Sequence, residues 1–168
     1  MKRILVISDT HGDLDPARRA IDVSRPLDGV IHLGDLLHDA GRLREQTGLT
    51  FRTVAGNNDA YLQAEETLVF TRENVRIFAC HGHRFDLHPH HPRREWKRSF
   101  AAMLREAGKH GAQCVLFGHT HTPFCKRKEG MLVMNPGSLW LGERELSCGL
   151  LILNDGRVKG KIRRLRTK

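Results

Sequence analysis

The chain has 168 residues, of which 39% are hydrophobic and 28% charged, and a formal net charge of +9. That length suits a single domain over 1–168 with enough chain to bury a core. No apolar run approaches the roughly 18–20 residues of a membrane span. The N-terminal apolar stretch Ile4–Ile7 also falls short of the about 7–15 residues of a signal-peptide core, so a cytoplasmic protein with no membrane partner is expected.

"RILVIS" (3–8) reads as a buried strand. "LDPARRAIDVS" (14–24) reads as a helix with Asp15 as N-cap and Pro16 at its first position. "GVIHLGD" (29–35) and "TFRTVAG" (50–56) read as two more strands, and residues 67–83 as a strand pair around the turn Arg72-Glu73-Asn74. A helix is expected from Pro92 to His110, because Trp96, Phe100, Met103, Leu104 and Ala107 recur on one face. "AQCVLFGHTH" (112–121) is a further buried strand, and short strands are expected near 123–128, 131–135, 148–153 and 157–163. Helices thin out after residue 110, which predicts that the β-rich C-terminal half forms a second sheet.

Two composition features weigh on partners. The four cysteines, Cys80, Cys114, Cys125 and Cys148, form no C-x-x-C pair and lie in or beside apolar runs, as packed, reduced thiols do. The densest basic run is Arg157–Lys168. In it Lys159, Lys161 and Arg163 alternate with Val158, Gly160 and Ile162, as on a half-exposed edge strand. Net charge therefore permits a nucleic-acid partner without favouring one.

The chemistry-bearing residues cluster at strand ends. Successive strands finish in Ser8-Asp9-Thr10-His11, Gly34-Asp35, Gly56-Asn57-Asn58-Asp59, Cys80-His81-Gly82-His83 and Gly118-His119-Thr120-His121. Ligands in open α/β sheets bind beyond the carboxyl ends of strands, so these groups are expected at one rim. Asp9 and His11, like His119 and His121, are two residues apart and would face the same side of an extended backbone. The glycines before Asp35, Asn57 and His119 are expected to let backbone approach a ligand. Carboxylate, imidazole and amide without thiolate suit manganese, iron, zinc or magnesium.

In this order, the motifs Asp9-Thr10-His11, Gly34-Asp35, Gly56-Asn57, His81-Gly82-His83 and Gly118-His119-Thr120-His121 resemble those of the calcineurin-like metallophosphoesterase superfamily. "SDTHGD", "FGHTHTPF" and Asn135-Pro136-Gly137-Ser138 resemble its small single-domain prokaryotic branch, whose characterised members include phosphodiesterases. The resemblance implies a four-layer α/β/β/α sandwich of two mixed β-sheets flanked by helices, with two divalent metal ions on one edge. By that resemblance Asp9, His11 and His121 hold one ion, Asn57, His81 and His119 the other, and Asp35 bridges them. Manganese is the expected metal, with nickel, iron, zinc or magnesium as alternatives. The implied reaction is hydrolysis of a small phosphate-ester substrate by in-line attack of a hydroxide bridging the ions. The family habit of assembly implies a homodimer or homotetramer.

Asn58 stands where phosphatases of the superfamily commonly carry a histidine. An amide donates a hydrogen bond but supplies no proton near neutral pH, which points to diesters over alkyl monoesters. A monoester phosphatase, or a metal-poor binding scaffold, is the alternative reading. His83 is expected to sit behind the ligands or to touch substrate. His32 is read as a core histidine and His38 as a candidate pocket residue. The loop holding His88, His90 and His91 is read as a surface loop, with a flap over the site as the alternative.

Overall fold

The computed structural model describes residues 1–88 and 91–166. In chain order these form β1 (Lys2–Ile7), α1 (Leu14–Asp22), β2 (Gly29–His32), α2 (Leu37–Thr47), β3 (Phe51–Thr53), β4 (Thr67–Arg72), β5 (Val75–Cys80), α3 (Arg93–Lys109), β6 (Cys114–Leu116), β7 (Phe124–Lys128), β8 (Met131–Asn135), β9 (Leu146–Asn154) and β10 (Arg157–Leu165). Single 3-10 turns lie at Asn57–Asp59 and His83–Phe85.

Two five-stranded sheets run in the orders β10-β9-β1-β2-β3 and β4-β5-β6-β8-β7. Both are mixed: β1, β2 and β3 pair in parallel, as do β5, β6 and β8, whereas β9, β10, β4 and β7 join antiparallel. Alternation along β1 explains the layering. Ile4 and Val6 face the second sheet's Ile77, Leu116 and Met134, while Leu5 and Ile7 pack under Ala17, Ile21 and Leu43 of the first two helices. On the far side Phe78, Val115 and Val133 pack against Met103, Leu104 and Ala107 of α3. The result is the four-layer α/β/β/α sandwich. Where the sheets meet, Gly149 and Gly160 leave room for the Met134 side chain, which any Cβ there would overlap.

Two expectations need correction. The C-terminal half does not make its own sheet. β7 and β8 join β4–β6, but the long hairpin β9–β10 returns to β1 in the first sheet, pairing Leu5 with Leu150. The N-cap position of α1 is Asp13, not Asp15, with no side-chain cap bond, and Pro16 lies deeper in the first turn, where no intrahelical N–H is missed. Helix α2 had no forecast. It buries only Asp39, Ala40 and Leu43, so its apolar stripe is thin. Its first N–H, on Leu37, is accepted by Asp59 Oδ1 at 2.8 Å, a cap supplied from a distant loop.

The edge-strand reading of the C-terminus holds, with β10 at the sheet edge and Lys159 and Lys161 exposed. All four cysteines are free thiols, and all but half-buried Cys125 are buried. No helix among the described residues is long and apolar enough to cross a membrane.

His32 closes β2 and ties it to β1. Its Nδ1 accepts from Gly34 N at 3.2 Å and its Nε2 lies 3.2 Å from Thr10 Oγ1, which in turn donates to Asp39 Oδ2 at 2.7 Å. This network requires a neutral ring, and burial lowers the His32 pKa to about 4. An unfolded histidine titrates near 6.5, so between these values the unfolded chain binds more protons. His32 therefore contributes stability that is intact above about pH 6.5 and declines as pH falls toward 4. In urea titrations of the metal-free chain, the stability lost between about pH 7.5 and about pH 5 should exceed that of His32→Gln by about 2 kcal/mol.

Candidate metal centre

The five polar strand ends meet at one rim. Loops after β1, β2 and β3 face loops after β5 and β6 across the sandwich edge, and Asp9 N donates to Gly34 O at 3.1 Å. The ligand residues are not on extended backbone, contrary to the same-side argument from spacing. β1 stops at Ile7 and β6 at Leu116. Asp9, His11, Asp35, His119 and His121 all take left-handed backbone, with φ of 54°, 46°, 63°, 63° and 54°. Such conformations are uncommon outside glycine and gather at functional sites.

The glycines let the loops pack closely against one another. A Cβ on Gly34, which has φ of 98°, would lie 2.6 Å from Gly56 N and 2.8 Å from His81 Nδ1. One on Gly56 would run into the Asp35 carboxylate, and one on Gly118 into Ser8. Bare backbone at these points lets the turns nest against one another.

At the centre are two buried carboxylates. Asp35 Oδ2 lies 3.6 Å from His11 Nε2, and Asp35 Oδ1 lies 3.4 Å from His81 Nε2. Asp9 Oδ1 lies 3.2 Å from His121 Nε2 and 3.9 Å from His81 Nε2. Two ligand-capable clusters result, Asp9-His11-His121 and Asp9-Asp35-His81. Asn57 Oδ1 is 3.2 Å from His81 Nε2, and the His119 ring is 5.0 Å from that of His81. The structure thus brings all seven expected metal-ligand residues together.

The electrostatics fit cations. Burial lowers the His121 pKa, but Asp9 and Glu143 outweigh it and bring it to about 9. Burial likewise opposes a charged His81, yet Asp35 and Asp9 raise its pKa. Desolvation would raise Asp35 and Asp9, but hydrogen bonds and charge from His81, His121 and Asn58 hold both below the usual carboxylate range. His119 is pushed down to about 4 by burial and by His81. Asp9 Oδ1, His11 Nε2 and His119 Nε2 are buried without a hydrogen-bond partner. Unpaired donor atoms of this kind, aimed at two anions, fit divalent ions.

Several residues hold this geometry. Asp59 accepts from Asp35 N and Gly56 N, both at 2.9 Å, and so fixes the bridging turn as well as α2. Asn135 Nδ2 donates to Gly118 O at 2.7 Å, and Ser138 Oγ donates to Asp9 O at 3.0 Å, which makes the Asn135–Ser138 segment a support for the metal loops. Glu143 Oε1 lies 2.6 Å from His121 Nδ1. Asp39, Asp59 and Glu143 had no role assigned from sequence. Asp59 sits three residues after Gly56, a capping-box spacing that signals it. Nothing local marks Glu143, which is 22 residues from its partner.

The remaining sequence candidates divide. Asn58 donates from Nδ2 to Asp35 Oδ2 at 2.8 Å and from its backbone to Oδ1 at 3.0 Å. The His83 ring lies 5.4 Å from His81 and 6.2 Å from His119, and burial and the His81 charge lower its pKa. His88 is exposed, as the surface-loop reading expects, and its ring lies 5.0 Å from that of His119, as the flap alternative expects. His91 faces Asp86 and Glu95, and His90 lies outside the described residues. His38 is exposed and stacks on Tyr61.

Comparison with known proteins bears on the family and the fold. Residues 1–156 match the family model of the calcineurin-like phosphoesterase superfamily domain. A protein of Mycoplasma pneumoniae named "probable metallophosphoesterase" is 32% identical over 139 residues, covering 83% of this chain and 80% of the relative. A phosphodiesterase of Methanocaldococcus jannaschii is 27% identical over 153 residues, covering 80% of this chain and 82% of the relative. A Streptococcus pneumoniae protein described as a predicted phosphoesterase superposes with a TM-score of 0.75 at 29% identity, over 96% of this chain and 88% of that one. Vps29 of Entamoeba histolytica complexed with Zn2+ shares the fold, with a TM-score of 0.71 at 22% identity over 96% and 98% of the two chains. The chain belongs to the calcineurin-like phosphoesterase superfamily.

Proposed function

We propose that this chain is a divalent-metal-dependent phosphodiesterase whose two ions are held by Asp9, His11, Asp35, Asn57, His81, His119 and His121. The observation that carries the reading is the position of Asp35, with one carboxylate oxygen toward His11 and the other toward His81. A carboxylate so placed serves two cations at once. Two bound divalent ions would supply Lewis-acid polarisation of the phosphoryl group and a water-derived nucleophile near neutral pH.

The protein's own groups do the rest. Only Asp9 and Asp35 contribute negative charge among the seven ligands, so two divalent ions leave the rim net positive and attractive to a phosphate anion. Asn57 keeps that balance by ligating without charge. Asn58 holds both oxygens of Asp35 and orients it. Glu143 accepts from His121 Nδ1 and so presents Nε2 to the metal position, the usual carboxylate–histidine–metal arrangement. The nearness of the His83 and His88 rings to His119, 6.2 and 5.0 Å between centroids, supports a role for both in contacting phosphoryl oxygens. With an amide at position 58 committed to Asp35, no proton donor there assists an alkoxide leaving group, which favours activated diesters. The phosphodiesterase name of the M. jannaschii relative supports the same substrate class. Manganese is the ion proposed, with nickel, iron, zinc or magnesium as alternatives that a carboxylate, amide and imidazole set also accepts.

Three measurements test this reading. Manganese-loaded protein should hold about two ions per chain and cleave bis(p-nitrophenyl) phosphate. Asp35→Ala should retain at most about one ion and lose at least about 1,000-fold in kcat/KM, whereas retained activity removes the bridging role. Glu143→Gln should weaken manganese binding about 10- to 100-fold by calorimetry, without unfolding the chain. Wild-type protein should prefer the diester to alkyl monoesters, and Asn58→His should raise alkyl monoester hydrolysis at least about tenfold. No gain from that substitution would sink the argument about position 58.

A further inference from the structure

Beside the metal rim stands a large aromatic side chain that neither the metal ligands nor the core uses. Trp140 is 41% exposed, and Leu141 beside it is 55% exposed. The indole lies 5.4 Å from the His11 ring and 6.4 Å from that of His121, centroid to centroid. It therefore borders the metal position that these two histidines share with Asp9.

The segment carrying it is pinned at every step. Leu139 N donates to the Ser8 and Asp9 carbonyls at 3.3 Å, Trp140 N to Ser138 Oγ at 3.1 Å, and Leu141 N to Asp13 Oδ2 at 2.8 Å. Glu143 N donates to Trp140 O at 3.1 Å, while its carboxylate meets His121. Gly142 packs on the indole itself, where a Cβ would come within 2.6 Å of Cε2. The ring thus rests on Gly142, with the tilted His11 ring beside it and much of its surface still in water. An exposed tryptophan held rigid has little conformational entropy left to lose on stacking, which suits it to bind a planar group.

We propose that Trp140 is a substrate-specificity residue, a stacking platform for an aromatic group carried by the phosphoester, such as the base of a nucleotide diester. This rests on the phosphoesterase reading of the adjacent centre and adds the class of substituent it accepts. A base stacked on Trp140 lies close enough for a phosphoryl group one sugar away to reach the rim at His11 and His121. Stacking on a single aromatic is worth about tenfold in affinity.

The test compares two phosphonates that cannot be cleaved, the adenosine 5′-phosphonate analogue of AMP and methylphosphonate, titrated into manganese-loaded protein. The adenosine compound should bind about tenfold tighter and quench tryptophan emission saturably. In Trp140→Ala the affinity ratio should fall toward one. Trp140→Phe should keep part of the ratio and lose the quench. Equal affinities in wild type, or a ratio that survives Trp140→Ala, overturns the platform. So does a change from dimer to monomer in Trp140→Ala with the ratio intact, which would make the indole an interface between copies. Failure of the underlying reading is distinguishable, because it would appear as no turnover of bis(p-nitrophenyl) phosphate by wild type.

Discussion

Two carboxylates buried together beside three imidazoles need positive charge, and the rest of this rim is arranged around that need. Asp9 and Asp35 have almost no contact with solvent, and like charges this close repel. Without ions, protons stand in, which is why His81 and His121 are drawn toward the imidazolium form. Divalent ions satisfy the same demand with the unpaired nitrogens of His11 and His119 added. The cost of burying the acids is offset only when cations arrive, so the fold carries an electrostatic deficit at its working edge.

Holding such a site requires rigid support, and the support lies mostly outside the ligands. Asp59 ties the Asp35 turn, the Gly56 turn and the start of α2 into one unit. Asn135 and Ser138 tie the loops after β6 and β1. Glu143 anchors both His121 and the segment that carries Trp140. Left-handed backbone at five ligand residues is tolerated because these hydrogen bonds over-determine the loops. The parallel strands contribute by delivering five loop starts to one edge, while the antiparallel hairpin β9–β10 completes the first sheet beside β1.

Much of this was legible in the chain. Buried strands announced themselves as apolar runs, α3 by its aromatic stripe, and the candidate metal ligands by recurring Asp, Asn and His beyond strand ends. The hidden parts share one property, dependence on a distant partner. α2 draws its cap from Asp59 and buries an aspartate where a periodic pattern needs an apolar residue. β9 looks like any late strand, yet its partner is β1 at the opposite end of the chain. Nothing local in the chain shows that the exposed His88 ring lies beside His119, 31 residues away.

The sequence by itself determined which groups are available: an ordered set of carboxylate, amide and imidazole side chains without thiolate, with Asn58 beside Asn57. It determined these because ligand type and order are local and survive any detail of packing. Only the tertiary structure decided how the groups meet. It set Asp35 between His11 and His81, turned Asn58 onto Asp35, and placed Glu143 behind His121 and Trp140 beside the rim. Those relations join residues tens of positions apart, and they exist only once the two sheets close on each other and bring the loop ends within hydrogen-bonding distance.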